Sequence, residues 1–262
     1  MLPHLPIILN GEPISVTMDW IYGLALLVGF APVFVAMDTV LKNYTYPRVE
    51  NPFFKDSTFF GLLAVGIVEG VVLFLVIRMF GLQSSQLSVI YMAVMGVIEL
   101  MAMMVVMNLR RFRGKSDSIF YGFGLGLGMA AGLASGYAYV ICGLAMEVES
   151  PDYAVIIPYV VLLSVAMTFI FGACGTNIGE GIARHIPMQF VLQAAIPMVA
   201  FNMLMAALDM VDSVFMVFVI LIVMVILGAF YFYKCLFRNL PAIVREVLKM
   251  NGQKRDDIPK AR

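Results

Sequence analysis

The chain has 262 residues, of which 62% are hydrophobic and 13% are charged, and its formal net charge is zero. About one-quarter of the residues of a soluble domain are charged, so this composition excludes an ordinary soluble protein. It predicts an integral membrane protein that is surrounded by a lipid bilayer.

Seven apolar runs are long enough to cross a hydrocarbon core, which takes about 20 residues for each helix. In chain order they cover residues 17–41, 57–80, 85–108, 118–146, 153–183, 186–208 and 212–237. The short loops favour antiparallel packing of consecutive helices. We therefore predict an all-α, polytopic membrane bundle with about seven transmembrane helices, in which residues 1–237 form a single domain.

Residues 238–262 form a basic tail. Within it, the sequence "LPAIVREVLKM" places apolar residues on one side and Arg245 and Lys249 off that side. This pattern is compatible with a short interfacial helix or with a solvated extension of the last span. The tail is too short for a nucleic-acid domain, so no nucleic acid partner is predicted.

The basic residues predict the orientation, because Lys and Arg collect on the cytoplasmic side of a membrane. They follow the first, third, fifth and seventh spans, and the opposite loops contain none. Arg78, near the outer end of its span, is the one exception. We expect the N-terminus outside and the C-terminus in the cytoplasm. The groups after the first, third and fifth spans are Lys42, Arg48 and Lys55; Arg110, Arg111, Arg113 and Lys115; and Arg184.

Glycines recur in the fourth span, "YGFGLGLGMAAGLASGY", where Gly124, Gly128, Gly132 and Gly136 are four residues apart. Small residues at this spacing let two helix backbones approach closely in a membrane. The seam predicts either an internal helix contact or a groove for an outside helix or extended peptide. An exposed glycine face would also tolerate a homo-oligomer.

Two acidic residues lie deep in the predicted bilayer. Glu69 and Glu99 have no basic residue within one turn, and each lies about 20 Å from the end where its helix enters, at about 1.5 Å per residue. With Asn202 they form the predicted intramembrane polar site, and Glu99 is expected to face the glycine seam. Intramembrane acids are either hydrogen-bonded in neutral form or take part in proton transfer. By contrast, Asp38 with Lys42 and Glu180 with Arg184 have the spacing of ion pairs within a helix.

The sequence contains no recognisable metal site. Cys142, Cys174 and Cys235 are far apart, and the only histidines are His4 and His185. A zinc site needs three protein ligands from His, Cys or carboxylate. No metal or other cofactor is predicted, and no catalytic residue is identified.

The order of several motifs resembles that of the PrsW-like intramembrane metalloproteases, their YhfC-like relatives and the larger CAAX-protease-like superfamily. The motifs are "FFGLLAVGIVEG", an acid-containing third span that ends in arginines, the entry at Asp117, "GLGMAAG", "GTNIGEGIAR" and "IPMVAFNML". The resemblance implies a helical scaffold in the plasma membrane, of prokaryotic origin.

In that family an EExxK pair, an FxxxE motif and two histidines are thought to hold zinc and a water molecule. The resemblance implies that only Glu99 is retained from this set. The other matching positions are Ile98 and Ala102, Met129 and Leu133, a residue near Met167, and Met198, which Asn202 follows by four residues. Methionine is a poor zinc ligand. The resemblance therefore implies a degenerate member of the family, which lacks most catalytic residues. Zinc is expected only if the protein is still an active protease.

Three functions remain open at this point. The first is a catalytically inactive, protease-like scaffold that binds another membrane segment or protein subunit. The second is a proton-coupled transporter or channel that uses Glu69 and Glu99. The third is an active protease with an atypical site, which the scarcity of histidine and cysteine disfavours.

Overall fold

A computed structural model describes residues 19–80, 85–146, 152–250, 252 and 258. Of the described residues 84% are helical and none is in a strand. Seven helices in this part of the chain are long and apolar enough to cross a membrane. The prediction of an all-α, polytopic membrane protein is confirmed. In chain order the helices are α1 (Asp19–Leu41), α2 (Asp56–Phe80), α3 (Ser85–Met107), α4 (Ser118–Met146), α5 (Tyr153–Ala183), α6 (Pro187–Leu208), α7 (Val214–Phe232) and α8 (Leu240–Met250).

Local chemistry explains where the helices begin and end. Asp152 caps α5, because its side chain accepts a hydrogen bond of 3.0 Å from the backbone N–H of Ala154. Pro187 occupies the first turn of α6, where its missing N–H costs nothing. After α7 the chain continues through a π-helical segment, Tyr233–Asn239, into α8. Residues 17 and 18, predicted as part of the first span, lie outside the described residues.

The fourth helix is the centre of the bundle. α4 packs against α5, α2 and α1, and its residues 118–134 are all buried. The predicted packing of consecutive helices holds for α4 with α5, α5 with α6 and α6 with α7 but is wrong for α3. α1 lies on α4, and α3 lies mainly on α6 while making few contacts with α2 and α4. The glycines of α4 explain this order, because they admit neighbours from both sides at short range.

The amphipathic helix α8 continues from the π-helical segment and packs against the bundle. Its apolar side, which includes Ile243, Val244, Val247 and Leu248, is buried in the main hydrophobic core. Both terminal guanidinium nitrogens of Arg184, just after α5, donate to the carboxylate of Glu246, at 2.9 and 2.7 Å. The start of the predicted tail is therefore attached to the end of α5.

Candidate functional site in the helical bundle

The glycine seam of α4 is covered by α2 of the same chain. A Cβ atom at Gly128 or Gly132 would overlap the carbonyl oxygens of Leu63 and Ile67. On the facing helix, a Cβ at Gly66 or Gly70 would overlap backbone oxygens of α4. The two helices thus meet backbone to backbone through two pairs of glycines.

The remaining glycines of α4 also have neighbours within the bundle. A Cβ at Gly124 would lie 2.9 Å from the ring of Phe59, and one at Gly136 would lie 2.6 Å from the ring of Phe74. On another side of α4, Gly122 and Gly126 face the backbone of α5. Of the two predicted uses of the seam, the structure has the internal helix contact, and Glu99 is not the group that covers it.

Glu99 and Asn202 are brought together between α3 and α6. The Asn202 side-chain amide donates to Glu99 Oε2 at 2.9 Å and to the Met198 carbonyl at 3.2 Å. Both residues are almost fully buried, with exposed fractions of 2% and 3%. Gly96 makes the approach possible, since a Cβ there would lie 2.9 Å from the Asn202 amide nitrogen. No pattern in the sequence predicted this contact of Gly96.

Glu69 does not join this pair. It is half-buried on α2, and its Oε2 atom is buried without a hydrogen-bond partner among the described residues. Val76 lies seven residues further on, so both residues are on the same side of the helix. The Val76 carbonyl accepts a hydrogen bond of 3.4 Å from the Tyr91 hydroxyl of α3. The Tyr91 hydroxyl of α3 therefore reaches α2 two turns beyond Glu69.

Four of the positions that the resemblance matches to the family's motifs are occupied by core side chains. Met129, Leu133, Met167 and Met198 are all at most 2% exposed and belong to the main hydrophobic core. Among the described residues, no three His, Cys, Asp or Glu side chains are grouped as a metal site would require. Glu99 is the only carboxylate at these positions, and its hydrogen bond to Asn202 holds it between α3 and α6.

A polar cluster that the sequence did not predict lies at the end of α5. The predicted Glu180–Arg184 pair forms, with Arg184 Nε 2.8 Å from Glu180 Oε1. Glu246 joins it from 62 residues further along the chain, so helical spacing could not indicate it. The other predicted pair, Asp38 with Lys42, makes no ion pair in the part of the chain that is described.

Comparisons of this chain with protein-family models, with curated proteins and with solved structures found no significant match. The class of protein that the fold defines is an integral, polytopic, all-helical membrane protein.

Proposed function

We propose that this membrane protein has a PrsW-like scaffold without protease chemistry and that it binds a transmembrane segment of another protein. The observation that carries the proposal is the Glu69 carboxyl, which has a buried oxygen atom with no partner among the described residues. An unsatisfied polar group in hydrocarbon costs several kcal/mol. The Glu69 side chain is only half-buried, so a rotation of its carboxyl would bring it to a donor from outside the bundle. The buried methionines and leucine at the positions of the family's metal ligands support the lack of proteolysis.

The binding surface is the cleft between α2 and α3, which make few contacts with each other. Val65 and Val72 lie one turn before and one turn after Glu69 and are 40% and 52% exposed. On α3, Ile98 is also exposed. An apolar surface with one carboxyl fits a transmembrane helix that carries an amide, hydroxyl or basic side chain at the middle of the bilayer.

Site-specific photo-crosslinking in the cell's own membranes tests this proposal. A photoreactive residue at Val72 or Ile98 should give a discrete adduct with a transmembrane protein. The same residue at Val223, a position of α7 that is 45% exposed, is the matched control and should not. Glu69→Leu should lower the adduct yield about 3- to 30-fold, because an interhelical hydrogen bond in a membrane contributes about 0.6–2 kcal/mol. Equal adducts from the cleft and from α7, or none from the cleft, would contradict the proposal.

A second candidate, the proton-coupled transporter, has one observation in its favour. Tyr137 of α4 is within electrostatic range of Glu99, Asp209 and Arg78, so polar groups continue from Glu99 toward the predicted outer end of the bundle. Desolvation raises the pKa of the Asp209 carboxyl above its usual range, and the Arg78 guanidinium opposes this rise. A relay of this kind would be expected to run through Glu99 rather than Glu69.

A further inference from the structure

A cavity of about 370 Å³ lies at the end of the bundle where α5 ends. Its walls come from α5, α6, the end of α7, the π-helical segment and α8. The polar side chains used below are those of Asn177, Glu180, Arg184, Tyr231, Lys234 and Glu246. This cavity is separate from the α2–α3 cleft, and nothing in the preceding proposal depends on it.

The π-helical segment shapes one wall of the cavity. At its end, the Leu240 N–H bonds to the Cys235 carbonyl five residues back, so each turn holds an extra residue compared with an α-helix. Such wide turns often occur at functional sites. The segment contributes Lys234, Cys235 and Asn239 to the lining, and α8 contributes Glu246.

The charged side chains that line the cavity are equal in number for each sign. Two acidic and two basic residues face the cavity, namely Glu180, Glu246, Arg184 and Lys234. Arg184 is fully engaged, since its Nε faces Glu180 and its two terminal nitrogens bond to Glu246. The charged atoms that remain are Glu180 Oε2 and the Lys234 ammonium, which has no ion pair in the described part of the chain. The lining therefore offers one site for a cation and one for an anion.

Neutral polar groups add to the site on the α5 side. Asn177 is 5% exposed and donates its amide N–H to the Phe190 carbonyl at 3.2 Å, which leaves its side-chain oxygen as an acceptor. The Tyr231 hydroxyl is buried beside Cys235 and makes no hydrogen bond of normal geometry with any described residue. Buried polar groups of this kind are normally satisfied, so they indicate that a polar ligand or water fills the cavity.

We infer that this cavity binds the headgroup of an aminophospholipid. This headgroup is a zwitterion with a primary ammonium group and an anionic group. Glu180 and Asn177 would accept hydrogen bonds from the ammonium, and Lys234 would pair with the phosphate. The location supports a lipid, because Arg184 follows a transmembrane helix directly and headgroups lie at that level. Phe190 and Ile243 provide apolar contacts beside the polar ones.

Native mass spectrometry of the purified full-length chain in detergent tests the inference. The probes are dioleoyl-phosphatidylethanolamine, dioleoyl-phosphatidylcholine and dioleoyl-phosphatidylglycerol. Phosphatidylethanolamine should bind at least about tenfold more tightly than the other two, which is about 1.4 kcal/mol. Phosphatidylcholine has no ammonium N–H to donate, and phosphatidylglycerol has no cation. Equal binding of the three lipids would overturn the inference.

Variants locate the site. Glu180→Gln and Lys234→Gln should each weaken phosphatidylethanolamine binding at least about tenfold. Lys249→Gln, at an exposed position of α8 outside the lining, is the control and should leave binding unchanged. Glu180→Gln also disturbs the Arg184 pair, whereas Lys234→Gln breaks no ion pair among the described residues and leaves the Arg184 cluster intact. If Lys234→Gln binds as the parent chain does, the inference is wrong.

Competition with soluble phosphoethanolamine distinguishes a lipid headgroup from a free zwitterion of the same chemistry. At a concentration equal to that of the lipid, it should fail to displace phosphatidylethanolamine, because it lacks the acyl chains. Displacement at equal concentration would show that the site takes a soluble zwitterion and would overturn the lipid assignment.

Discussion

At the scale of single residues, Glu99 and Asn202 show what depth in the membrane does and does not determine. The sequence predicted that both residues lie inside the bilayer, because each is far from the end of an apolar run. It could not predict their hydrogen bond, which joins positions 103 residues apart on helices that are not consecutive. Both amide hydrogens of Asn202 are used, one by Glu99 and one by the Met198 carbonyl.

Removing this amide should destabilise the protein. Asn202→Leu leaves the buried Glu99 carboxyl without its donor, and we expect the free energy of unfolding to fall by about 1–3 kcal/mol. Glu99→Gln should be tolerated, because an amide oxygen accepts the same hydrogen bond. Denaturant titration in detergent micelles measures both changes. Gln193→Leu, at an exposed position of the same helix, should change the free energy by less than about 0.5 kcal/mol.

A transporter would give a different result at the same residue. In proteoliposomes with an internal pH dye, proton flux that is abolished by Glu99→Gln at unchanged stability would favour the second candidate function. It would also contradict a purely structural role for the Glu99–Asn202 pair. Equal flux in the parent chain, the Glu99→Gln variant and empty liposomes is the result we expect.

At the scale of helices, glycine spacing predicted a close contact of α4 but not its partner. The partner sequence, "GIVEG", carries the same spacing on α2, with Gly66 and Gly70 opposite Gly128 and Gly132. Matching two such stretches requires knowing which helices are neighbours, and short loops misled the prediction for α3. The π-helical segment was not predicted either, because its residues, "YKCLFRN", are compatible with either kind of helix.

The contact between α2 and α4 predicts a sharp difference among glycines. Gly128→Ala should lower the free energy of unfolding by about 1–3 kcal/mol, because the methyl group would overlap a backbone carbonyl that cannot move away. Gly143→Ala, on the same helix, has open space around the new Cβ and is the matched control. Its stability should stay unchanged or rise, because alanine favours a helix. Equal losses in both variants would mean that helix propensity, rather than the α2–α4 contact, governs stability at these positions.

At the scale of the whole molecule, length and polarity were enough to predict the class of fold, because each crossing needs its own apolar run. They were not enough to predict the cavity at the end of α5. Its walls come from segments that are up to about 70 residues apart, from Thr176 to Glu246. Only the packing of α8 against the end of α5 brings Glu246 to Arg184. In the sequence, the spacing of Glu180 and Arg184 already explained both charges as an ion pair within one helix. Nothing in that spacing therefore indicated a larger cluster with Glu246.

The orientation of the whole molecule remains a prediction from its basic residues, and cysteine labelling tests it. A membrane-impermeant maleimide should label Asp212→Cys in intact cells, and should label Lys115→Cys only after the membrane is opened. Both positions are exposed, whereas Cys142, Cys174 and Cys235 are buried and give little background. The Gly114 N–H bonds to the Ile182 carbonyl at 3.1 Å, so Lys115 lies at the same end of the bundle as Arg184. Labelling in the predicted pattern would therefore place the cavity on the cytoplasmic side, and the reverse pattern would invert both the topology and the leaflet that supplies its lipid.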